Sequence, residues 1–102
     1  MPPRGRRRSR RRVGMLPRSP YFEPVGPEPL RSVVLTLGEF EALRLVDYEC
    51  MTQEEAAAEM GVSRRTLWND LQSARKKLIG ALIHGYSIRI EGGSYIVTAE
   101  RG

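Results

Sequence analysis

The sequence has little of what disulfide-bonded, metal-binding and membrane proteins need. It contains one cysteine, Cys50, and one histidine, His84. An internal disulfide is therefore excluded, and no Cys/His cluster is available for zinc. No apolar run is long enough to span a membrane, and no Gly-rich phosphate loop precedes a Lys-Ser/Thr pair. These absences predict a cytoplasmic protein that is not an enzyme and has no cofactor or membrane association.

The net charge of +5 is distributed very unevenly. Eight of the 17 basic residues lie within residues 1–18, which contain no acidic residue, so the remainder of the chain has a net charge of −3. A basic tail on a mildly acidic body is typical of a protein with a polyanionic partner. Five of the nine basic residues in the body form a cluster: Arg64, Arg65, Arg75, Lys76 and Lys77.

Residues 1–20 are predicted to be a disordered arm, and residues 21–102 a folded domain. The arm lacks hydrophobic periodicity, and its like charges repel each other. Folding of the arm would therefore bury too little apolar surface to offset the loss of conformational entropy. We expect disorder at least through Arg12. The arm is either a nonspecific phosphate tether, equally compatible with RNA, or a segment that enters a minor groove. Its candidate contacts are Arg4, Arg6, Arg7, Arg8, Arg10, Arg11 and Arg12.

Residues 32–51 are predicted to contain a strand and then a helix. Residues 32–37 are rich in β-branched residues and alternate in polarity, which favours a short strand. Thr36 and Glu39 match a capping box, so a helix is expected to begin there and to run to about Tyr48.

Residues 52–77 are predicted to form two helices joined by a tight turn. Thr52 begins a second capping box, and Gly61 suits the left-handed conformation that ends a helix. Ser63 is a suitable N-cap for the next helix, which is expected over residues 64–83. A short helix, a glycine turn and a longer polar-faced helix are typical of the helix-turn-helix unit that enters the DNA major groove.

The helix predicted over residues 64–83 has three distinct sides at 100° per residue. Its inward stripe comprises Leu67, Leu71, Ala74, Leu78 and Leu82. The opposite side carries candidate base contacts, which we call the outward line: Arg65, Asn69, Gln72 and Lys76. Candidate phosphate contacts are Ser63, Arg64, Thr66, Ser73, Arg75 and Lys77, together with Arg89. The alternative is that this polar side is only the solvated face of an amphipathic helix.

Residues 86–97 are predicted to form a β-hairpin. Two alternating runs flank residues 92–93, and the two glycines suit a turn with positive φ. The expected register places Ile88, Ile90, Tyr95 and Val97 on the core-facing side. Such a hairpin is either a wing that brings Arg89 to a phosphate or an edge that pairs with a second subunit.

Five stretches of the chain resemble a known protein family. They are FEPVG at 22–26, LTLGEFEALRLVDYE at 35–49, TQEEAAAEMGVSRRTLW at 52–68, SARKKLIGAL at 73–82 and IRIEGGSY at 88–95. The chain resembles the small prokaryotic proteins classed as UPF0251 or DUF134, predicted DNA-binding proteins with a helix-turn-helix similar to sigma-70 region 4. The resemblance implies DNA contacts at Arg64, Arg65, Asn69 and Gln72. In this family a glycine is expected at the position of Cys50.

Together, these patterns predict a mainly α fold, with a region-4-like or winged-helix-like domain, a C-terminal hairpin and a disordered basic arm. The predicted function is sequence-specific binding of double-stranded DNA in transcription regulation, in the cytoplasm at the nucleoid. A homodimer is one expectation, and no small-molecule ligand is indicated. The alternative function is a protein-interaction module, for RNA polymerase or a sigma-type partner, in which the arm binds nucleic acid nonspecifically.

Overall fold

The computed structural model describes residues 10–98, which form three helices and two small sheets. The strands are β1 (Arg11–Val13), β2 (Tyr21–Phe22), β3 (Ser32–Leu35), β4 (Ser87–Ile90) and β5 (Tyr95–Val97). The helices are α1 (Leu37–Ala42), α2 (Gln53–Met60) and α3 (Arg64–His84), and a π-helical segment (Leu43–Tyr48) continues α1. Within residues 10–98, no helix has the length and apolar character needed to cross a membrane.

Side-chain caps begin all three helices where the sequence predicts them. At α1, Glu39 N–H donates to Thr36 Oγ1 over 3.1 Å, and Thr36 N–H donates to Glu39 Oε1 over 2.9 Å. An equivalent capping box opens α2 at Thr52. At α3, Thr66 N–H donates to Ser63 Oγ over 3.0 Å. Each cap satisfies backbone donors that the helix itself leaves unpaired, and the predicted helix starts are confirmed.

The segment after α1 is wound more loosely than an α-helix. Glu49 N–H donates to the carbonyl of Arg44, five residues earlier, over 2.8 Å. This widening is compatible with burial of Leu45, which is 2% exposed. The helical segment therefore extends to Tyr48 as predicted, but its second half is π-helical.

Cys50 is the one non-glycine residue with positive φ, at 61°, in the part of the chain that the structure describes. A side chain in this left-handed region costs about 1–2 kcal/mol, because Cβ crowds the following carbonyl. We expect Cys50→Gly to raise the free energy of unfolding by about 0.5–1 kcal/mol, since glycine's greater freedom in the unfolded chain offsets part of the relief.

Urea denaturation measures this difference, and Cys50→Ala is the matched control. Alanine also removes the thiol but keeps the Cβ, so it should give no gain in stability. Equal stabilisation by both substitutions would show that the thiol, and not the backbone conformation, is the source of the effect.

The strands β4 and β5 do not pair with each other, so the predicted hairpin over residues 86–97 is wrong. β5 instead pairs in parallel with β1, and β4 lies between β2, which is antiparallel, and β3, which is parallel. Gly92 and Gly93 do have positive φ. The carbonyl of Gly92, however, accepts the N–H of Leu37 over 3.1 Å, which joins this connection to the start of α1.

The core has two parts, on either side of α3. One lies against α2 and the π-helical segment, and comprises Ala42, Leu45, Ala56, Ala57, Met60, Leu67 and Leu71. The other lies against the strands, and comprises Val13, Leu35, Leu37, Ala74 and Ile90. The predicted stripe of α3 is confirmed at Leu67, Leu71 and Ala74. It is wrong at Leu82, which is 69% exposed, because the 3.6-residue period brings Ala81 to the buried side instead.

Candidate nucleic-acid interface

α2 and α3 are joined by a tight turn and pack directly against each other. Gly61 ends α2 in the left-handed conformation, with φ 69° and ψ 34°. Val62 N–H donates to the carbonyl of Ala57 over 3.0 Å, which closes the turn. Met60 on α2 and Leu67 on α3 are fully buried in the same cluster. The packing fixes the direction of α3 and leaves its opposite side in solvent.

The outward line occupies this solvent side of α3. Arg65, Asn69 and Lys76 are exposed, and Gln72 is half-buried. None of these four side chains makes a hydrogen bond or an ion pair with another described residue. The structure therefore leaves several donors and acceptors, on successive turns of one helix, available to a ligand.

Ser73 and Lys77, two of the predicted phosphate contacts, bind the buried carboxylate of Glu39. Ser73 Oγ donates to Glu39 Oε2, and Lys77 Nζ lies 2.8 and 3.1 Å from the two Glu39 oxygens. Lys77 also donates to the carbonyl of Val34 over 2.8 Å. Burial would raise the pKa of Glu39, but the hydrogen bonds from Lys77, Ser73 and the Thr36 N–H outweigh it and hold the pKa below its usual value.

Arg75 forms a two-pronged ion pair with Asp47 at the protein surface. Its Nη2 and Nε lie 2.7 and 3.1 Å from the two carboxylate oxygens. The hydrogen bond from Arg75 lowers the pKa of Asp47, and the same bond raises the pKa of Arg75. An exposed pair of this kind contributes little to stability. Its effect here is to neutralise a charge on the flank of α3.

The remaining candidates for phosphate contact differ in their availability. The hydroxyls of Ser63 and Thr66 serve the cap of α3, where Ser63 Oγ donates to Thr66 Oγ1 over 3.1 Å. Arg89 lies over the ring of Tyr21, 4.9 Å from its centroid, on a strand in the middle of a sheet. The expectation of a hairpin wing carrying Arg89 is wrong, because β4 and β5 do not pair with each other in the part of the chain that the structure describes. Arg64 is exposed and has no partner among the described residues.

The predicted disordered arm is wrong for the part of residues 1–20 that the structure describes. Arg11 in β1 forms two hydrogen bonds to the carboxylate of Asp70 on α3, of 2.9 and 3.1 Å. Arg12 donates to the carbonyls of Ala58 and Glu59, over 2.9 and 3.2 Å, and so caps the end of α2. Val13 is fully buried. Arg10 is exposed, and Arg4, Arg6, Arg7 and Arg8 lie outside the described residues.

These contacts attach the N-terminal segment to the α2–α3 unit. Asp70 follows Asn69 of the outward line in the sequence, so the guanidinium of Arg11 lies on the flank of α3 next to that line. Downstream, Gly14 N–H donates over 2.9 Å to the buried carboxylate of Glu41. The sequence does not reveal that this segment is ordered, because a run of arginines followed by one valine resembles a charged tail.

A comparison with protein families identifies the chain. The profile described as "Protein of unknown function DUF134" matches residues 1–98. The chain belongs to the DUF134 family. A UPF0251 protein of Methanosarcina acetivorans is 50% identical over 95 residues, covering 91% of this chain and 85% of the relative. A UPF0251 protein of Pyrococcus furiosus is 49% identical over 90 residues, covering 85% and 83% of the two chains.

Membership of DUF134 confirms the resemblance seen in the sequence motifs, and these relatives are archaeal. The chain spans 55% of the length of another UPF0251 relative, from Methanocella arvoryzae, to which it is 45% identical. No solved structure matches the chain. Within residues 10–98, no group of three or more His, Cys, Asp or Glu residues is placed to hold a metal ion.

Proposed function

We propose that this DUF134 protein binds double-stranded DNA in a sequence-specific manner and regulates transcription. In this proposal α2 and α3 are a helix-turn-helix unit, and the N-terminal half of α3 enters the major groove. One observation carries the proposal. The outward line has no partner among residues 10–98, although carboxylates pair with Lys77 and Arg75 on its two flanks.

The side chains of the outward line suit base edges. Arginine donates two hydrogen bonds to guanine, and asparagine or glutamine pairs in two places with adenine. Arg65, Asn69 and Gln72 follow one another at spacings of four and three residues, so they lie on one side of the helix. Lys76 extends the same side and suits either a base or a phosphate.

The electrostatic attraction to DNA must be local, because the chain beyond residue 18 has a net charge of −3. Arg64 and Arg10 are exposed, and residues 1–9 add four arginines. The Arg11–Asp70 pair has a further effect. It neutralises a carboxylate beside the outward line, which would otherwise repel the phosphate backbone.

Removing residues 1–9 should lower the affinity for every duplex and make that affinity less dependent on salt concentration. The slope of log K against log salt, where K is the association constant, is negative. Each phosphate contact that is lost makes it less negative by about 0.9, so four arginines account for a change of at most about 3–4. Titration of a random duplex at several salt concentrations measures the slope.

This deletion leaves β1 intact, whereas a deletion through residue 18 would also remove the buried Val13. Circular dichroism of the truncated protein verifies that it remains folded. An unchanged slope would show that these arginines do not contact phosphates.

Selection of bound duplexes from a random pool, followed by sequencing, tests the whole proposal. A defined consensus supports base contacts by the outward line. A pool without any consensus would contradict the proposal and favour the alternative of a protein-interaction module with nonspecific nucleic-acid binding.

A further inference from the structure

An open apolar groove of about 780 Å³ lies between the C-terminal half of α3, the π-helical segment and the strands. Four of the apolar or aromatic side chains that line it are half-exposed or more: Met15 at 50%, Phe22 at 54%, Leu82 at 69% and Tyr48 at 80%. Leu78, Phe40 and Ile88 contribute to its floor. Such a concentration of exposed apolar surface on a small chain is typical of an interaction site.

The exposed side of α3 changes its chemistry along the helix. Positions seven residues apart lie nearly on one line, so Ile79 continues the line of Arg65 and Gln72, and Ile83 that of Asn69 and Lys76. Ile79 is 52% exposed and Ile83 is 69% exposed. The exposed side of α3 is therefore polar along the outward line, as far as Lys76, and apolar in the last two turns of the helix. This change separates the proposed DNA contacts from a second surface beside the groove.

We propose that this second surface binds a second copy of the chain, so that the protein is a homodimer. The surface consists of Met15, Phe22, Tyr48, Ile79, Leu82 and Ile83. Their exposed parts amount to roughly 600 Å², on the scale of the about 800 Å² that each partner contributes to a standard interface. The area on one chain is thus close to what a stable dimer requires.

The shape of the surface also suits self-association. Ile79 and Ile83, four residues apart, form a ridge on α3, and Leu82 lies between this ridge and the groove. In a two-fold arrangement the ridge of each copy can enter the groove of the other, and the contact is made twice. The outward lines of the two copies remain outside the interface. This interface does not involve the edge of the predicted hairpin, which was the alternative site for pairing with a second subunit.

Sedimentation equilibrium of the protein without DNA tests the dimer. The expected mass is twice the 11.6 kDa of the chain. Leu82→Glu should raise the dissociation constant at least about tenfold, because each dimer would then bury two unpaired carboxylates. Leu30→Glu is the matched control: Leu30 is 85% exposed and does not line the groove, so the dimer should persist. Both variants replace exposed leucines, and circular dichroism verifies that they fold.

Oxidative cross-linking locates the interface independently. Leu82 lies between the ridge and the groove, so in this arrangement it is the residue of the surface nearest the two-fold axis. In a Cys50→Gly background, which removes the sole thiol, Leu82→Cys should form a disulfide-linked dimer readily, whereas Leu30→Cys should not. A single-chain mass at every concentration, or equal cross-linking at both positions, would overturn the proposal. The association requires no DNA, so such a result would leave the DNA-binding proposal unaffected.

Discussion

Arg65→Ala is expected to lower the affinity for a selected DNA site by about 1–3 kcal/mol, or roughly 5- to 150-fold. The guanidinium of Arg65 is exposed on α3 and makes no hydrogen bond or ion pair with another described residue. Its removal should therefore cost no folded-state contact, and the loss should fall on the DNA complex. Fluorescence anisotropy titrations at fixed salt concentration measure the change.

The loss of affinity caused by Arg65→Ala, compared between selected and random duplexes, identifies the kind of contact that Arg65 makes. A base contact predicts a large loss on the selected site, relaxed specificity at one base pair and a small loss on random duplexes. Arg31→Ala serves as a control, because Arg31 lies over the ring of Tyr86, beyond the C-terminal end of α3. Equal losses for Arg65→Ala on selected and random duplexes would reassign Arg65 to a phosphate, and no loss on either would remove it from the interface.

Lys77→Met is expected to lower the free energy of unfolding by about 2–3 kcal/mol at neutral pH. The substitution keeps an unbranched apolar stem but leaves the Glu39 carboxylate buried without its ammonium partner. Breaking a fully buried pair costs about 3–5 kcal/mol, and the value here is smaller because the Lys77 side chain is 35% exposed. Lys76→Met is the control: Lys76 is exposed and has no partner among the described residues, so its substitution should change stability by less than about 0.5 kcal/mol.

The effect of Lys77→Met should depend on pH in a defined direction. In the native protein the pKa of Glu39 lies below its usual value of 4.5, so its interactions stabilise the fold above that pH. This contribution is lost as the pH falls through the lowered pKa. Without Lys77, its hydrogen bond and its charge no longer lower the pKa of Glu39, so this carboxyl takes up a proton at a higher pH in the variant than in the native protein, and acidification relieves the cost of the unpaired carboxylate.

The stability difference between the native protein and Lys77→Met should therefore narrow as the pH falls below about 4.5. Urea denaturation across the acidic range measures both proteins. A difference that stayed constant with pH would mean that Lys77 acts through packing of its alkyl chain and not through Glu39.

The starts of all three helices follow from short-range signals in the sequence. Thr36 and Thr52 begin capping boxes, Gly61 ends α2 and Ser63 caps α3, and each of these signals acts over a few residues. The outward line also followed from sequence, because a helix with one buried stripe has a determined opposite side. Local interactions of this kind are complete within a short segment, so their pattern is visible in the chain.

The pairing of the strands and the partners of the cations follow only from the folded chain. The glycine turn between β4 and β5 was compatible with a hairpin, but β1, β2 and β3 supply the pairing partners from distant parts of the chain. Likewise, Arg11 and Asp70 are 59 residues apart in the sequence, and Lys77 and Glu39 are 38 apart. The choice among competing partners depends on the packing that brings such segments together. For that reason Arg11, Ser73 and Lys77 could be recognised as structural residues only from the folded chain.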